Sequence, residues 1–278
     1  MPELPELQAH AERLDATYSG AIVSGFRPIT FTALKTFSPD PADAVGSPLT
    51  SVRRRGKYLL LEAGPVTFVV HLMQGGRLRP DEKQSAKPRS GIARWIFDDG
   101  RALLLTEPGT ERKAGVWMVT GDPEGQEPVA KLGPDADTIT EAELAPLLAA
   151  HPMRLHGFLR DQHILAGLGR RLANEIPHRA KLSPFASTAK LTAAQVGQLA
   201  AALTACVTES LEAERSRDEL VASKEREGNV HNRAGEPCPV CGDTIRSVEY
   251  RAYTMAYCPT CQTGGRVLAD NTTSKFLK

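Results

Sequence analysis

The chain has 278 residues, of which 41% are hydrophobic and 24% charged, and this length and composition predict a soluble globular protein of about two domains. The formal net charge of +1 excludes an overall basic surface, so an anionic partner has to be met by local clusters of cations. No apolar run is long enough to span a membrane and the acidic N-terminus does not form a signal peptide, which predicts a cytoplasmic protein without a membrane partner.

The chain begins Met-Pro-Glu-Leu-Pro-Glu, and residues 4–18 carry apolar side chains at the spacing of an amphipathic helix. Pro2 is small enough for the initiator methionine to be removed, which would leave a secondary amine at the N-terminus. An α-amino group titrates near neutrality, at about 7.7–8.0, and amines attack carbonyl-like carbons to form Schiff bases. Glu3 and Glu6 would offer proton transfer beside that amine. The same residues also make an ordinary helix start with favourably placed acids.

Short apolar or alternating segments follow this helix and predict β-strands. They lie at residues 21–29, 59–62, 66–72, 92–97 and 101–106. The last two are joined by Asp98-Asp99-Gly100, which is a strong hairpin signal. Several short strands with tight connections favour an antiparallel sandwich or barrel over a parallel sheet. The polar, charged segment 81–90 is expected to be a loop.

The second half of the chain has helical patterns. Between residues 120 and 140 the composition shifts to Gly, Pro, Asp and Glu, which predicts a domain boundary. Thr140 and Glu143 have the spacing of a capping box, and so have Thr192 and Gln195, so each pair predicts the start of a helix.

A turn at Gly167-Leu168-Gly169 interrupts an apolar segment that begins near Leu159 and is expected to stay helical as far as the turn. A second helix should begin directly after it, and its N-terminal N–H groups form a ready phosphate site. Arg170 follows the turn, and a second basic cluster at residues 53–57 precedes a predicted strand. These clusters make phosphate contacts plausible. A helical hairpin nevertheless needs such a turn in any case, and arginines on a surface are usually just solvated.

Four of the five cysteines form two CxxC pairs, Cys238-Pro-Val-Cys241 and Cys258-Pro-Thr-Cys261. Two such pairs at this separation predict a tetrahedral zinc site with no open position, and therefore one structural Zn²⁺. Residues 242–257 between them are expected to form a β-hairpin, and the metal replaces a core that so small a module cannot build. Ribbons of this kind bind nucleic acid, protein or neither, so the zinc site alone does not identify a partner.

The N-terminal hexapeptide, the turn at Gly167 and Gly169, and the C-terminal four-cysteine finger occur together in an order that resembles the formamidopyrimidine/endonuclease VIII (Fpg/Nei) family of DNA glycosylases. The resemblance covers essentially the whole chain and implies an α+β fold in three parts. These are an N-terminal antiparallel β-sandwich with a flanking helix (1–130), a helical domain with a helix–two-turns–helix motif (131–228) and a zinc-bound β-hairpin (229–278).

The same resemblance implies a monomeric base-excision-repair enzyme that binds damaged DNA, removes oxidised or ring-opened bases and cleaves the abasic strand by β/δ-elimination. By position, Pro2 resembles the amine that attacks C1′ of the damaged nucleoside, and Glu3 resembles the proton donor to the deoxyribose ring. Glu6 corresponds to a supporting carboxylate, and Lys57 to a strand lysine that holds a phosphate. The damaged nucleotide has to be flipped out of the duplex, at a cost of a few kcal/mol. The positions that correspond to DNA contacts are His71, Gln74, Arg112, His156, Gly167, Gly169, Arg170, Arg251 and Tyr253.

Several of these positions depart from the family pattern. Gln74 replaces a methionine, Ala114 a phenylalanine, Arg170 an asparagine, His156 a lysine and Tyr253 the finger arginine, with Arg251 lying two residues from that position. Residues 210–233 are short for the loop that Fpg-type members fold over an oxidised purine. This favours a Nei-like preference for oxidised pyrimidines or ring-opened lesions.

Two other functions remain open at the level of sequence. Gln74, Ala114 and Tyr253 also suit a non-catalytic relative that binds damaged DNA or abasic sites. A zinc-ribbon protein with a protein partner is the second alternative, and it would bind DNA weakly and without the steep salt dependence of phosphate contacts.

Overall fold

The computed structural model of the chain describes residues 1–220, 226–250 and 253–268. The chain is an α+β protein, as the sequence predicts, and it forms two compact units. One comprises Met1–Leu132 with Ala213–Val221, and the other comprises Gly133–Glu212 with Ala222–Lys278. None of the helices in the described part of the chain has the length and apolar character needed to cross a bilayer. The division into three parts stays a prediction.

The first unit opens with helix α1 (Leu4–Tyr18), which has the predicted bounds. Its start is fixed by a capping box, in which the Glu3 side chain accepts the N–H of Glu6 and the Glu6 side chain accepts the N–H of Glu3. The apolar face of α1 is buried in the core of this unit through residues such as Leu7 and Leu14.

Two four-stranded antiparallel sheets follow α1 in the first unit, in the orders β1-β6-β7-β5 and β2-β3-β4-β8. Their strands are β1 (Val23–Pro28), β2 (Leu49–Arg55), β3 (Tyr58–Ala63), β4 (Val66–His71), β5 (Arg77–Pro80), β6 (Gly91–Phe97), β7 (Ala102–Thr106) and β8 (Gly115–Thr120). The sheets share one core, in which the rings of Phe68 on β4 and Trp95 on β6 lie 5.7 Å apart. This arrangement confirms the predicted sandwich, and β6 and β7 pair as the hairpin expected around Gly100.

Three of these strands, β2, β5 and β8, are not among the segments predicted from the sequence. The basic cluster at 53–57 directly precedes β3, as predicted, and its residues 53–55 themselves belong to β2. Arg53 and Arg55 keep their charges at the surface by pairing with Glu62 and Glu124, at 2.7 and 2.9 Å. The methylene groups of an arginine side chain can cover apolar surface while the charged end stays in water. An arginine-rich segment can therefore form a strand of a packed sheet.

The second unit contains α2 (Glu141–Ala150), α3 (Leu155–Arg160), α4 (Arg170–Arg179), α5 (Ala193–Arg215) except its last three residues, the hairpin β9 (Arg246–Tyr250) and β10 (Tyr253–Tyr257), and α6 (Pro259–Thr263). Both predicted capping boxes are present. Glu143 accepts the backbone N–H of Thr140 at 2.9 Å, and Gln195 accepts that of Thr192 at 3.0 Å. The hairpin between the cysteine pairs is also confirmed.

Helix α3 ends at Arg160, earlier than the expected stop beside Gly167. The Gln162 side chain explains the difference, because it holds two turns in place of further helix. Its Nε2 donates to the carbonyls of Arg160 and Leu168, both at 2.9 Å, and its Oε1 accepts the N–H of Gly167 at 3.0 Å. Gly167 has φ +100°, a backbone conformation that favours glycine.

Candidate functional site

The N-terminal residues are buried at the start of α1. Pro2 is buried, Glu3 is 3% exposed and Glu6 is fully buried. The N–H of Glu3 donates to Oε2 of Glu6 at 2.8 Å, so the backbone next to Pro2 is held by the first turn of the helix. Met1 precedes Pro2 in the described chain, so the nitrogen of Pro2 belongs to an amide and becomes an amine when Met1 is removed.

Lys57 and His71 lie at neighbouring strand ends in the same sheet. Lys57 is 8% exposed and directly precedes Tyr58, which pairs with His71 across β3 and β4. Burial, together with the charge of Lys57, lowers the pKa of His71 to about 4. The Nδ1 atom of His71 accepts the N–H of Met73 at 3.1 Å, which leaves the proton of the neutral ring on Nε2. His71 is therefore a neutral donor beside a buried cation at neutral pH.

Gln74 and Arg112 are exposed on loops of the first unit. Gln74 lies in a turn closed by the N–H of Gly76, which donates to the carbonyl of Leu72 at 2.8 Å. A Cβ on Gly76 would lie 2.1 Å from that carbonyl oxygen, so the close approach requires glycine. Because they are exposed, the side chains of Gln74 and Arg112 are available to a partner. Ala114, in contrast, is buried, and its N–H donates to the Glu107 carboxylate at 2.6 Å.

The glycine turn of the second unit presents one cation at the start of a helix. Gly169 is the N-cap of α4, and Arg170 is exposed at the first helical position. Gly167 is buried and its N–H already donates to Gln162. Arg170, at the start of α4, is therefore the part of this turn that is exposed to solvent. The N–H of Gly167 is used in a hydrogen bond within the turn.

His156 does not have the surroundings expected of a phosphate ligand. It is 2% exposed, and burial, with the neighbouring charge of Arg160, lowers its pKa to about 3. The ring is therefore neutral and packs inside the unit, stacked on Tyr253 with centroids 5.4 Å apart. The predicted phosphate contact at His156 stays a prediction that this burial does not favour.

Tyr253 is half-buried at the start of β10, where it stacks on Tyr250 with ring centroids 4.6 Å apart. Arg251, the other candidate on this hairpin, lies outside the described residues. The sequence analysis did not single out Arg160, whose guanidinium carbon lies 3.6 Å from the centroid of the Tyr253 ring. Within the described residues, this guanidinium has no hydrogen bond or ion pair to the protein. Tyr253 therefore holds a cation from α3 at the hairpin, near the position where the family pattern has an arginine.

The four cysteines of the two CxxC pairs come together in the second unit. The Sγ atoms of Cys238, Cys241, Cys258 and Cys261 all lie within 4.8 Å of one another. Zinc bound to four thiolates at about 2.3 Å would give sulfur separations of about 3.8 Å. The Cys241–Cys258 and Cys238–Cys261 separations of 3.3 and 3.9 Å fit such a site. The chain holds one structural zinc ion here.

Helix α4 is joined to the segment that enters the zinc module. The carboxylate of Glu175 accepts the backbone N–H groups of Asn229, Val230 and His231 at 2.9, 3.0 and 2.8 Å. Burial alone would raise the pKa of Glu175, but these three bonds hold it below its ordinary value. At neutral pH the carboxylate therefore stays ionised and fixes the module against the helix that follows the glycine turn.

Comparisons with known proteins find a family match in each of the two units. Residues 1–117 match the formamidopyrimidine-DNA glycosylase N-terminal domain, and residues 235–264 match the zinc finger found in FPG and IleRS. A formamidopyrimidine-DNA glycosylase of Chloroflexus aurantiacus is 31% identical over 275 residues, covering 94% of this chain and 98% of that protein. An uncharacterized formamidopyrimidine-DNA glycosylase-like protein of Mycobacterium tuberculosis is 41% identical over 149 residues, covering 53% of this chain and 94% of its own.

Among solved structures, MutM in complex with carbocyclic 8-oxo-G containing DNA has the same fold, with a TM-score of 0.84. The two sequences are 21% identical, and the alignment covers 94% of this chain and 100% of that one.

Proposed function

Because the chain belongs to the formamidopyrimidine-DNA glycosylase family, whose members act in base-excision repair, we propose that it is a bifunctional enzyme. It excises oxidised or ring-opened bases from DNA and cleaves the abasic strand, using the N-terminal amine of Pro2. The observation that carries this proposal is the capped start of α1, where Pro2 and Glu3 are held at one fixed position.

With Met1 removed, the secondary amine of Pro2 attacks C1′ of the flipped nucleotide, and the damaged base leaves with the electrons of the glycosidic bond and takes up the proton that the amine loses. Glu3 gives a proton to the ring oxygen as the sugar opens, and an iminium ion between Pro2 and C1′ results. Loss of a C2′ proton then expels the 3′-phosphate by β-elimination. A second elimination releases the 5′-phosphate and leaves a one-nucleotide gap.

Local cations support DNA as the partner of a protein whose net charge is only +1. MutM was solved in complex with DNA, and this chain offers Arg112 in its first unit and Arg160 and Arg170 in its second for the phosphates of such a strand. Lys57 and the neutral donor His71 lie beside each other for a phosphate near the nucleophile. We propose that the enzyme acts on damaged DNA in the cytoplasm as a monomer.

A panel of duplexes tests this function, each carrying one defined lesion: an oxidised pyrimidine, an oxidised purine, a ring-opened purine or an abasic site. We expect strand cleavage at an oxidised or ring-opened base and, with borohydride present, a covalent protein–DNA adduct. The predicted preference for oxidised pyrimidines or ring-opened lesions would be read from the relative rates.

A second candidate function is non-catalytic recognition of abasic sites, which is favoured by the replacement of expected side chains at Gln74, Ala114 and Tyr253. A relative of this kind would bind abasic duplex tightly and give neither cleavage nor a borohydride-stable adduct. That outcome would replace the first proposal with the second.

A further inference from the structure

Two phenylalanines in the loop after β1 have their side chains entirely in solvent. Phe31 has a relative exposure of 101% and Phe37 one of 106%. Full burial of such a side chain stabilises a protein by about 1.5–3 kcal/mol, so paired exposed rings indicate a surface that another molecule covers.

The loop that carries these rings is anchored. Between them, Ala33 is fully buried, its carbonyl accepts the N–H of Val116 at 2.8 Å, and the N–H of Lys35 donates to the carbonyl of Val116 at 2.8 Å. Leu34 packs against the sandwich core. The two rings therefore project from a segment that is fixed to strand β8.

The rings border an open depression of about 650 Å³ formed by residues 28–32 and 34–37. A second depression of about 370 Å³ shares Pro28, Ile29 and Thr30 with the first, so the two are adjacent, and together they are called the groove. The groove is apolar around Phe31 and Phe37 and polar at its other end.

Four cations line this groove: Arg27, Lys35, Lys87 and Arg112. Within the described part of the chain, none of their side chains has an ion pair or a hydrogen bond to the protein, and no aspartate or glutamate is among the lining residues. A groove with four positive charges and no negative one favours a polyanion as its partner. An apolar protein segment, or one with few acidic residues, would leave these charges unpaired.

Exposed aromatic rings beside unpaired cations are the features that bind single-stranded nucleic acid. Each base that stacks on an aromatic side chain contributes about 1–3 kcal/mol, and the cations follow the phosphates. Bases in a duplex are stacked on each other and leave no face for such rings. We propose that the groove of Phe31 and Phe37 binds an unpaired stretch of DNA strand. The choice of DNA over RNA rests on the proposed function.

The test is fluorescence anisotropy with a labelled thymidine oligonucleotide, using the full chain with its zinc. We expect the double variant Phe31→Ser/Phe37→Ser to bind this single strand at least about tenfold more weakly than the wild type. Its melting temperature should match that of the wild type, because both rings are already in solvent. Val45→Ser, at another exposed apolar side chain of the first unit, serves as the matched control and should bind normally.

A second variant tests the charged end of the groove. Arg27→Gln/Lys87→Gln should weaken single-strand binding and lower the slope of log affinity against log salt by about 1.4, the value for two lost phosphate contacts. Equal affinity of the wild type and the phenylalanine variant for the thymidine oligonucleotide would overturn the proposal. So would a wild-type dimer that the phenylalanine substitutions dissociate, because the rings would then cover a second copy of the chain.

These outcomes are separable from the fate of the proposed enzyme activity. If the wild type binds the single strand through the rings but gives no borohydride adduct on abasic duplex, the groove stands and the lyase proposal fails. If the adduct forms and single-strand binding does not depend on the rings, the lyase proposal stands and the groove proposal fails.

Discussion

The backbone N–H of Glu3 donates to Oε2 of Glu6 over 2.8 Å, and both carboxylates are buried in the first turn of α1. The side chain of Glu3 in turn accepts the backbone N–H of Glu6. The two residues proposed to assist the amine of Pro2 therefore also fix the start of the helix that Pro2 directly precedes. Substitutions have to separate the loss of helix capping from the loss of proton transfer.

At Glu6 the two roles, helix capping and assistance to the amine, can be separated with one isosteric and one truncating substitution. Glutamine keeps an oxygen that accepts the N–H of Glu3, whereas alanine removes it and should cost about 1 kcal/mol of stability. We expect Glu6→Ala to lower the melting temperature and Glu6→Gln to retain it. Base excision by Glu6→Gln should still fall, by up to about a hundredfold, because a charge beside the amine is lost. Full activity of Glu6→Gln would show that Glu6 only caps the helix.

Glu3→Gln should leave DNA affinity unchanged and reduce base excision by about 10²–10⁴-fold, because the amide cannot give a proton to the opening sugar ring. Single-turnover excision rates and anisotropy on the same lesion duplex provide the two readouts. Normal turnover by Glu3→Gln would remove this carboxylate from the chemistry.

Arg160→Ala should weaken binding to damaged duplex and lower the salt slope by about one, as expected for one lost phosphate contact. Tyr253→Phe retains the ring under the guanidinium and should bind normally, whereas Tyr253→Ser should resemble Arg160→Ala. Arg179→Ala is the control, because that arginine is paired with Glu209 at 2.6 Å. An unchanged salt slope for Arg160→Ala would show that the stacked cation does not meet a phosphate.

Cys258→Ser should release the zinc ion, measured with a chromogenic chelator, and weaken DNA affinity while the N-terminal amine stays reactive at saturating abasic DNA. Cys206→Ser is the matched control. Cys206 lies buried in α5, outside the group of four cysteines whose sulfur atoms come together. If Cys258→Ser loses zinc but binds DNA as tightly as the wild type, the finger supports only its own fold.

Local signals account for what the sequence predicted well. The bounds of α1 and the capping boxes at Thr140 and Thr192 depend on residues three positions apart, and the cysteine spacing specifies its own ligand set. The early end of α3 was not predictable in this way, because it depends on where the Gln162 side chain turns. The buried, neutral state of His156 likewise depends on the packing around it, which the sequence does not express.

The contact between Arg160 and Tyr253 shows the same limit within the candidate site. These residues are far apart in the chain, and Arg160 is the last residue of a short apolar helix with no motif around it. The sequence indicated that Tyr253 departs from the family pattern. Only the fold shows that a cation from α3 lies on that ring.

The central claim is that the nitrogen of residue 2 forms the bond to the sugar. The most direct measurement is mass spectrometry of the borohydride-reduced adduct on abasic DNA, followed by proteolysis to locate the modified residue. We expect a chain that lacks Met1, with the reduced sugar on Pro2. An adduct on a lysine such as Lys57, or no adduct from protein shown to begin at Pro2, would contradict the account.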